Sequence, residues 1–101
     1  MTIQSAFRPH YGQTITVTPS AASISVIIGK GDKTLRITNT GANIAFIRTG
    51  TSPATVTATA ADCPIPAGLS LNIEKGQDED TLAHISAVGA TLVITPGEGG
   101  L

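Results

Sequence analysis

The feature that most constrains this chain is an alternation of apolar and polar residues that recurs along nearly its whole length. The alternation is clearest in residues 69–74, where Leu69, Leu71 and Ile73 are separated by polar residues. Because successive side chains of a strand point to opposite faces of a sheet, a period of two predicts half-buried β-strands. Turn-forming residues interrupt the pattern about every ten residues, a spacing typical of small sandwiches and barrels. The sequence therefore predicts an all-β fold.

The alternation predicts about eight short strands, arranged as an antiparallel sandwich of jelly-roll type or as a small barrel. Turn residues predict one hairpin at residues 39–43 and a second at residues 89–90. Two prolines predict that residues 62–68 are irregular, because proline cannot donate to a ladder. Residues 76–80 are predicted to form a solvated loop. The predicted strands are residues 13–18, 24–28, 34–38, 44–49, 54–60, 69–74, 82–88 and 91–95.

The predicted strands differ in how they bury their side chains. Residues 44–49 are apolar on both faces, which predicts a central or covered strand. Residues 54–60 alternate threonine with small apolar residues and predict a weak edge strand. In residues 34–38 the pattern directs Leu35 and Ile37 inward and the polar residues outward. The predicted core consists of Ile15, Val17, Ile24, Val26, Ile28, Leu35, Ile37, Phe46, Leu69, Leu71, Ile73, Ile85, Leu92 and Ile94.

The length of 101 residues predicts one domain, because domains typically hold roughly 100–150 residues. Residues 1–12 contain Pro and Gly and lack a clean alternation, so they are predicted to form an N-terminal arm. The single β domain is predicted to span residues 13–95. Residues 96–101 are predicted to be a C-terminal tail.

The weak charge of the chain argues against several classes of partner. Only 13% of its residues are charged and its net charge is −1, so it lacks the basic surface of a nucleic-acid-binding protein. Its longest aliphatic run, residues 24–28, is far short of the ~20 residues that span a bilayer. The single Cys63 cannot form an internal disulfide and is interpreted as a small apolar filler. With no secretory signal pattern at the start, these features indicate synthesis in a reducing cytoplasm.

Few residues offer catalytic or metal-binding chemistry. His10 and His84 are the only bases for neutral pH, and a triad of Ser86, His84 and Asp62 is conceivable. No nucleophile elbow accompanies them, so His84 is interpreted as an interface or surface histidine and the protein is predicted not to be an enzyme. Residues 78–80 lack the alternate spacing of a calcium loop, and the glycines lack a phosphate-loop context. No metal and no cofactor are predicted.

The N-terminal arm carries two of the three aromatic residues of the chain, Phe7 and Tyr11, with Arg8 between them. Aromatic residues and arginine are enriched among the residues that contribute most to protein interfaces. We therefore expect Phe7, Arg8 and Tyr11 to dock onto a neighbouring subunit. The alternative is that the arm folds back over its own core, which would also bury the aromatic rings.

Threonine dominates the polar faces of the predicted strands. Thr14 and Thr16 are two of nine such outward residues, where a free monomer more often carries Lys and Glu to stay soluble. Uncharged faces can be buried against another protein at modest desolvation cost. The threonine-rich faces therefore favour a protein that functions as part of an assembly. The predicted protein interface comprises Phe7, Arg8, Tyr11, Thr14, Thr16, Arg36 and Arg48.

In composition and turn placement, residues 35–48 (LRITNTGANIAFIR), 65–68 (IPAG) and 91–100 (TLVITPGEGG) resemble the small all-β structural proteins of tailed bacteriophages. In size the chain is most similar to the capsid cement, or decoration, proteins among them. This resemblance implies a jelly-roll-like sandwich on the capsid surface of the virion, where it bridges major capsid protein subunits. The implied partners are the major capsid protein and copies of the chain itself, in a homo-oligomer.

Two other functions remain open at this point. Head–tail connector and tail-terminator proteins are similar in size to cement proteins, and the residues do not separate the two groups. A stand-alone module that binds carbohydrate or protein belongs to another class, and such sites generally stack sugars on exposed aromatic rings.

Overall fold

The computed structural model describes residues 6–52 and 55–100, and within these ranges it contains nine strands and no helix. No helix in this part of the chain could therefore span a membrane. Seven of the nine strands overlap the alternating segments, because a period of two allows each strand to bury one face. The strands are β1 (Arg8–Pro9), β2 (Ile15–Val17), β3 (Ile24–Ile27), β4 (Thr34–Asn39), β5 (Ala45–Gly50), β6 (Cys63–Ile65), β7 (Ser70–Glu74), β8 (Thr81–Ile85) and β9 (Leu92–Glu98).

The strands form two antiparallel sheets that pack face to face as a small β-sandwich. The first sheet has the order β1-β9-β4-β7, and β2 also pairs with β9. The second sheet has the order β3-β8-β5-β6. The predicted all-β class and the sandwich are thus confirmed, and the barrel alternative is wrong because the two sheets do not join into one.

The core lies between the sheets, and its buried hydrophobic residues are all aliphatic. Its fully buried members come equally from the first sheet and the second: Leu35, Ile37, Leu92 and Ile94, then Ala45, Ile47, Ile65 and Leu82. Two predicted core residues, Ile24 and Leu69, are instead half exposed. The pattern also placed Phe46 inside, whereas its neighbour Ile47 faces the core. Residues 44–49 are apolar on both faces, so periodicity could not distinguish the two.

Both predicted hairpins are wrong, because each of these turns carries the chain from one sheet to the other. Residues 39–43 connect β4 in the first sheet to β5 in the second. The buried Asn39 side chain stabilises this crossing: its Nδ2 donates to the carbonyls of Asn43 and Ile65, at 2.8 and 2.9 Å. Residues 89–90 likewise connect β8 to β9, and Asn43 Nδ2 donates to the Gly89 carbonyl at 2.9 Å.

The described part of residues 54–60 does not pair as a strand. It crosses the outer face of the second sheet, where Ala58 is buried and its N–H donates to the Ser23 hydroxyl at 2.9 Å. A methyl group at Gly50 would lie 2.5 Å from Cγ2 of Val56, so this segment packs closely on β5. We call residues 55–60 the cover segment.

Two predicted loops are more ordered than their residues indicated. Part of residues 62–68, predicted to be irregular, forms the edge strand β6, a position that tolerates its proline. In the predicted solvated loop 76–80, Asp80 is buried and accepts hydrogen bonds from the backbone N–H and hydroxyl of Ser52, at 2.8 and 2.7 Å. These two bonds lower the pKa of Asp80 from 3.8 to about 2.

Candidate functional site

The outer face of the first sheet carries mostly uncharged polar side chains. We call it the threonine face, and its polar members are Thr14, Thr16, Arg36, Thr38, Ser70, Asn72 and Thr95. The apolar Val93 lies on the same face, between Thr16 and Thr38. Its members come from four strands because the antiparallel register places outward residues opposite one another. The face therefore joins residues that lie up to 81 positions apart in the chain, as in the Thr14–Thr95 contact.

Hydrogen bonds between neighbouring strands hold the threonine face in place. The hydroxyls of Thr14 and Thr95 lie 2.9 Å apart, as do those of Thr38 and Ser70. Such pairs satisfy each other's hydrogen-bonding groups without any formal charge. A partner that covers this face therefore has few strongly hydrated groups to displace.

Arg36 is the charged residue at the centre of the threonine face. Its Nε donates to Oδ1 of Asn72 at 3.0 Å, and its guanidinium lies 4.4 Å from the centre of the Phe7 ring. Asn72 in turn donates to the Gly100 carbonyl at 3.0 Å. The sequence pattern indicates Phe7 and Arg36 for separate reasons, and the structure brings them into a cation–π contact.

The described part of the arm, residues 6–12, lies against its own domain. Arg8–Pro9 pairs with Gly97 and Glu98, and the His10 N–H donates to the Pro96 carbonyl at 2.8 Å. Strand β9 thus continues into the residues predicted as a tail. This arrangement agrees with the folded-back alternative, and docking of Phe7 and Arg8 onto a neighbouring subunit stays a prediction.

Two glycines leave the space that the Phe7 side chain occupies. A methyl group at Gly97 would lie 2.8 Å from the Phe7 ring, and one at Gly100 would lie 2.8 Å from Phe7 Cβ. Thr34 pairs with Gly97 and faces outward, as the alternation predicted, yet it is fully buried. The glycine-rich end of the chain therefore binds the aromatic residue of the arm, a relation that spacing along the chain could not indicate.

Tyr11 is the exposed aromatic residue of the arm, with an exposed fraction of 85%. It borders a shallow cleft of about 360 Å³ that is also lined by Arg8, His10, Asp32 and Glu98. His10 Nδ1 lies 2.9 Å from Oδ2 of Asp32, which fixes the turn after β1 against the loop before β4. Arg8 and Tyr11 thus line a cleft at one end of the first sheet, and no residue of the threonine face lines it.

Arg48 is the predicted interface residue that lies apart from the others. It points from the outer face of the second sheet and forms a salt bridge with Asp62, with an N–O distance of 2.8 Å. The backbone N–H of Thr59 lowers the pKa of Asp62, desolvation opposes this effect, and Arg48 adds to it. Arg48 therefore fastens the end of the cover segment, and the structure does not place it on the threonine face.

The conceivable triad residues have separate roles. The Ser86 hydroxyl donates to the Ile44 carbonyl at 2.7 Å, and Asp62 is bound by Arg48 and Thr59. His84 is 3% exposed, so its predicted surface or interface position is wrong. Burial lowers the pKa of His84, and its Nδ1 has no hydrogen-bond partner among the described residues.

A second exposed surface was not anticipated from the sequence. Strand β3 lies at the edge of the second sheet, and its Ile24 and Ile27 side chains are 50% and 63% exposed. The alternation assigned Ile24 to the core, but at an edge only one side of a strand is covered. The signal available in the sequence was the absence of any charged residue between Pro19 and Lys30.

No protein-family model matches the chain, and no curated protein shows significant similarity to it.

Proposed function

We propose that this protein is a capsid cement, or decoration, protein of a tailed bacteriophage, which bridges and stabilises neighbouring major capsid protein subunits on the outer surface of the shell. The threonine face is the observation that carries the proposal. It is broad, weakly charged and internally hydrogen-bonded, as suits a surface that becomes buried against protein. The resemblance of residues 35–48, 65–68 and 91–100 to phage structural proteins supplies the setting.

Contact with the shell costs little at this surface. Burying a polar group without a partner costs roughly 1–3 kcal/mol in proteins, and an unpaired charge costs more. On the threonine face the hydroxyls of Thr14, Thr95, Thr38 and Ser70 already have partners. Arg36 is held by Asn72 and Phe7 and so retains a defined direction for a carboxylate or carbonyl on the capsid protein.

The proposed mechanism is passive. A module that contacts two capsid subunits adds contacts that must break before the subunits can separate. Each contact can be of modest area, because a closed shell repeats it many times and linked sites gain avidity. The folded domain is made in the host cytoplasm and ends on the capsid surface of the virion.

A head–tail connector or tail-terminator protein is the first alternative, since the same face would serve in a ring. The two functions differ in copy number. Cement protein scales with the major capsid protein, whereas a connector forms one closed ring per particle. Quantitative mass spectrometry of purified virions distinguishes them.

The exposed Tyr11 beside its cleft favours a second alternative, a module that binds carbohydrate or protein. Aromatic rings of this kind stack on apolar surfaces of a ligand. A glycan array with the wild-type protein and a Tyr11→Ala variant tests this function. Binding that is lost in the variant would favour it over cement.

The cement function is tested with shells that lack the protein. Thr16→Glu and Ser70→Glu each place a carboxylate on the threonine face, where it would be buried without a partner, so we expect at least about tenfold weaker binding. Thr57→Glu is the matched control, because Thr57 is equally exposed but lies in the cover segment. The measurements are co-sedimentation with the shells and the temperature at which filled shells release DNA.

We expect the wild type and Thr57→Glu to raise the release temperature and the two face variants to raise it less. Shells that bind none of the proteins, or whose release temperature is the same with and without the wild type, would contradict the cement function. Equal binding by the wild type and all three variants would mean that the protein contacts the shell through a surface other than the threonine face.

A further inference from the structure

Strand β3 is an edge strand without the features that usually protect an edge. Its residues are Ile24, Ser25, Val26 and Ile27, followed by Ile28, and none is charged. Within the described part of the chain, β3 pairs with β8 alone. Two of its isoleucine side chains are half exposed or more. Monomeric proteins normally place lysine, proline or a bulge on such an edge, because unpaired backbone groups attract other strands.

Three of the four other edge strands carry such protection. At the far edge of the second sheet, β6 contains Pro64, which has no N–H to donate. In the first sheet, β1 contains Pro9 and β7 ends in Glu74. The remaining edge strand, β2, has neither proline nor charge, but its Ile15 and Val17 side chains are half-buried. Among the described edge strands, β3 is thus the one that lacks such protection and also exposes large aliphatic side chains, which indicates that this edge has a partner.

The backbone groups of β3 are arranged for a further strand. The Ile28 N–H donates to the Asp80 carbonyl at 2.7 Å, on the β8 side. Because the direction of backbone groups alternates along an antiparallel strand, Ile24 and Val26 also face β8. The N–H and C=O groups of Ser25 and Ile27 therefore point away from β8, toward the open side of the sheet.

We propose that the partner is a second copy of this chain, whose β3 pairs antiparallel with this β3 about a two-fold axis at Val26. The pairing joins two four-stranded second sheets into one continuous sheet. It deepens the proposed function, on which it rests for its setting, by naming the surface through which copies of the protein contact each other.

The order of residues in β3 is complementary to itself in this register. The axis at Val26 places Ser25 opposite Ile27 of the second copy, so that the outward backbone groups of both residues bond twice on each side of the axis. It also places Ile24 opposite Ile28 and Val26 opposite Val26, all apolar and on one face. No charged residue meets a like charge, and the half-exposed Ile24 becomes covered.

The contact between two short edge strands buries a small area, so we expect the two copies to associate weakly. Interfaces under about 1,200 Å² are typical of weak, transient association. We therefore expect a dissociation constant between about 1 µM and 1 mM for the free protein. On a shell, where copies are held close together, the same contact is strengthened by effective concentration.

The first test measures the mass of the purified protein over a concentration series by analytical ultracentrifugation. We expect the wild type to approach twice its chain mass of 10.2 kDa. Ile27→Lys places a charge on the edge and should weaken the dimer at least tenfold. Val88→Lys is the matched control, because Val88 is 74% exposed and lies outside β3. A wild type that stays monomeric up to ~1 mM overturns the proposal.

A second variant separates pairing from packing. Ser25→Pro removes an N–H that points away from β8, so the existing β3–β8 ladder keeps its bonds while the new pairing loses two. We expect a monomer with the wild-type circular dichroism spectrum. If either β3 variant remains folded and dimerises as strongly as the wild type, the copies use another surface and the proposal is wrong.

Cross-linking tests the register directly, in a Cys63→Ser background that removes the exposed native thiol. Directly opposite residues of a non-hydrogen-bonded pair have Cα atoms about 4.5 Å apart, within the range of a disulfide. Val26→Cys should therefore form a disulfide-linked dimer on mild oxidation. Ile24→Cys is the control, since its two copies would lie about 14 Å apart along the strand. Efficient linkage at position 24 instead of position 26 would overturn this register.

The shell experiments above keep the two proposals apart. A dimer that forms through β3 but does not bind shells contradicts the cement function and leaves the pairing intact. A protein that stabilises shells but stays monomeric, with Ile27→Lys as effective as the wild type, contradicts the pairing and leaves the cement function intact.

Discussion

The two sheets of this protein treat their outer faces in opposite ways. The first sheet leaves most of its outer face open, with threonine, serine and asparagine hydrogen-bonded across strands, and Phe7 of the arm covers only the end at Gly97. The second sheet has apolar residues on both faces, and the cover segment lies over its outer face, so that Ala83 is fully buried there. An uncharged polar face can thus stay exposed, whereas an apolar face must be covered by the same chain or by a partner.

At strand β3 the apolar surface of the second sheet is not fully covered by the chain itself. The cover segment reaches Ser23 but leaves Ile27 63% exposed. The open apolar edge and the open threonine face therefore differ in what each can bind. The edge suits another strand, and the face suits a flat protein surface.

We expect the largest effect on stability from a substitution on the inner face of β5, and a smaller one from a substitution on its outer face. Ile47→Ala removes a fully buried side chain between the sheets and should lower the free energy of unfolding by about 2–5 kcal/mol. Phe46→Ala removes a half-buried ring from the outer face and should cost about 1–2 kcal/mol. Urea unfolding of both variants measures the difference. Equal losses would mean that the outer face of the second sheet is as much a core as the inner one.

We expect an intermediate effect on stability from substitutions beneath the two segments that lie on the outer faces, the arm on the first sheet and the cover segment on the second. Gly97→Ala meets the Phe7 ring and the Arg8 carbonyl, so the arm must shift, at a cost of about 1–3 kcal/mol. Gly50→Ala meets only the side chain of Val56, which can turn, and the reduced freedom of the unfolded chain offsets about 0.4–1 kcal/mol.

Thermal unfolding and amide exchange of the His10 N–H, which bonds Pro96, measure the outcome of the two glycine substitutions. We expect faster exchange at His10 in Gly97→Ala and unchanged exchange in Gly50→Ala. A larger loss of stability in Gly50→Ala would show that the cover segment is held more rigidly than the arm.

The smallest expected effect is a pH dependence that arises from the second sheet. Burial lowers the pKa of His84 below its ordinary value of 6.5, so the unfolded chain binds a proton more readily than the folded one. Stability from this residue is therefore full above pH 6.5 and decreases as the pH falls below it. Urea unfolding at several pH values should show this decrease in the wild type and not in His84→Gln. The same slope in both proteins would assign it to other groups.

Much of the fold follows from local pattern. Alternation located most of the strands, and it oriented Leu35 and Ile37 correctly because strands with one apolar face have one reasonable orientation. The same reasoning failed in β5, whose two faces are both apolar, and at Ile24, whose edge position is a property of the sheet.

The candidate site could be predicted only in part, for the same reason. Thr14, Thr16 and Arg36 were identified as outward residues from alternation, and they do share one face. The contact of Phe7 with Arg36 joins the residue before β1 to a residue of β4. Strand β9 lies between β1 and β4, so this contact could be predicted only from the strand order. Arg48 has the same outward pattern as Arg36, and the strand order places it on the other sheet.

Turn chemistry shows the limit most clearly. Residues 39–43 contain the glycine and asparagines that suit a hairpin, and local preference for a tight turn was correctly recognised. Whether such a turn returns to its own sheet or crosses to the opposite one is a matter of distant bonds, here from Asn39 to the Ile65 carbonyl. Local residue pattern is enough to specify strands, turns and an uncharged surface, because these depend on neighbours in the chain. Which strands become partners, and which edge is left open, depends on contacts between residues far apart, because the free energy of packing is shared by the whole core.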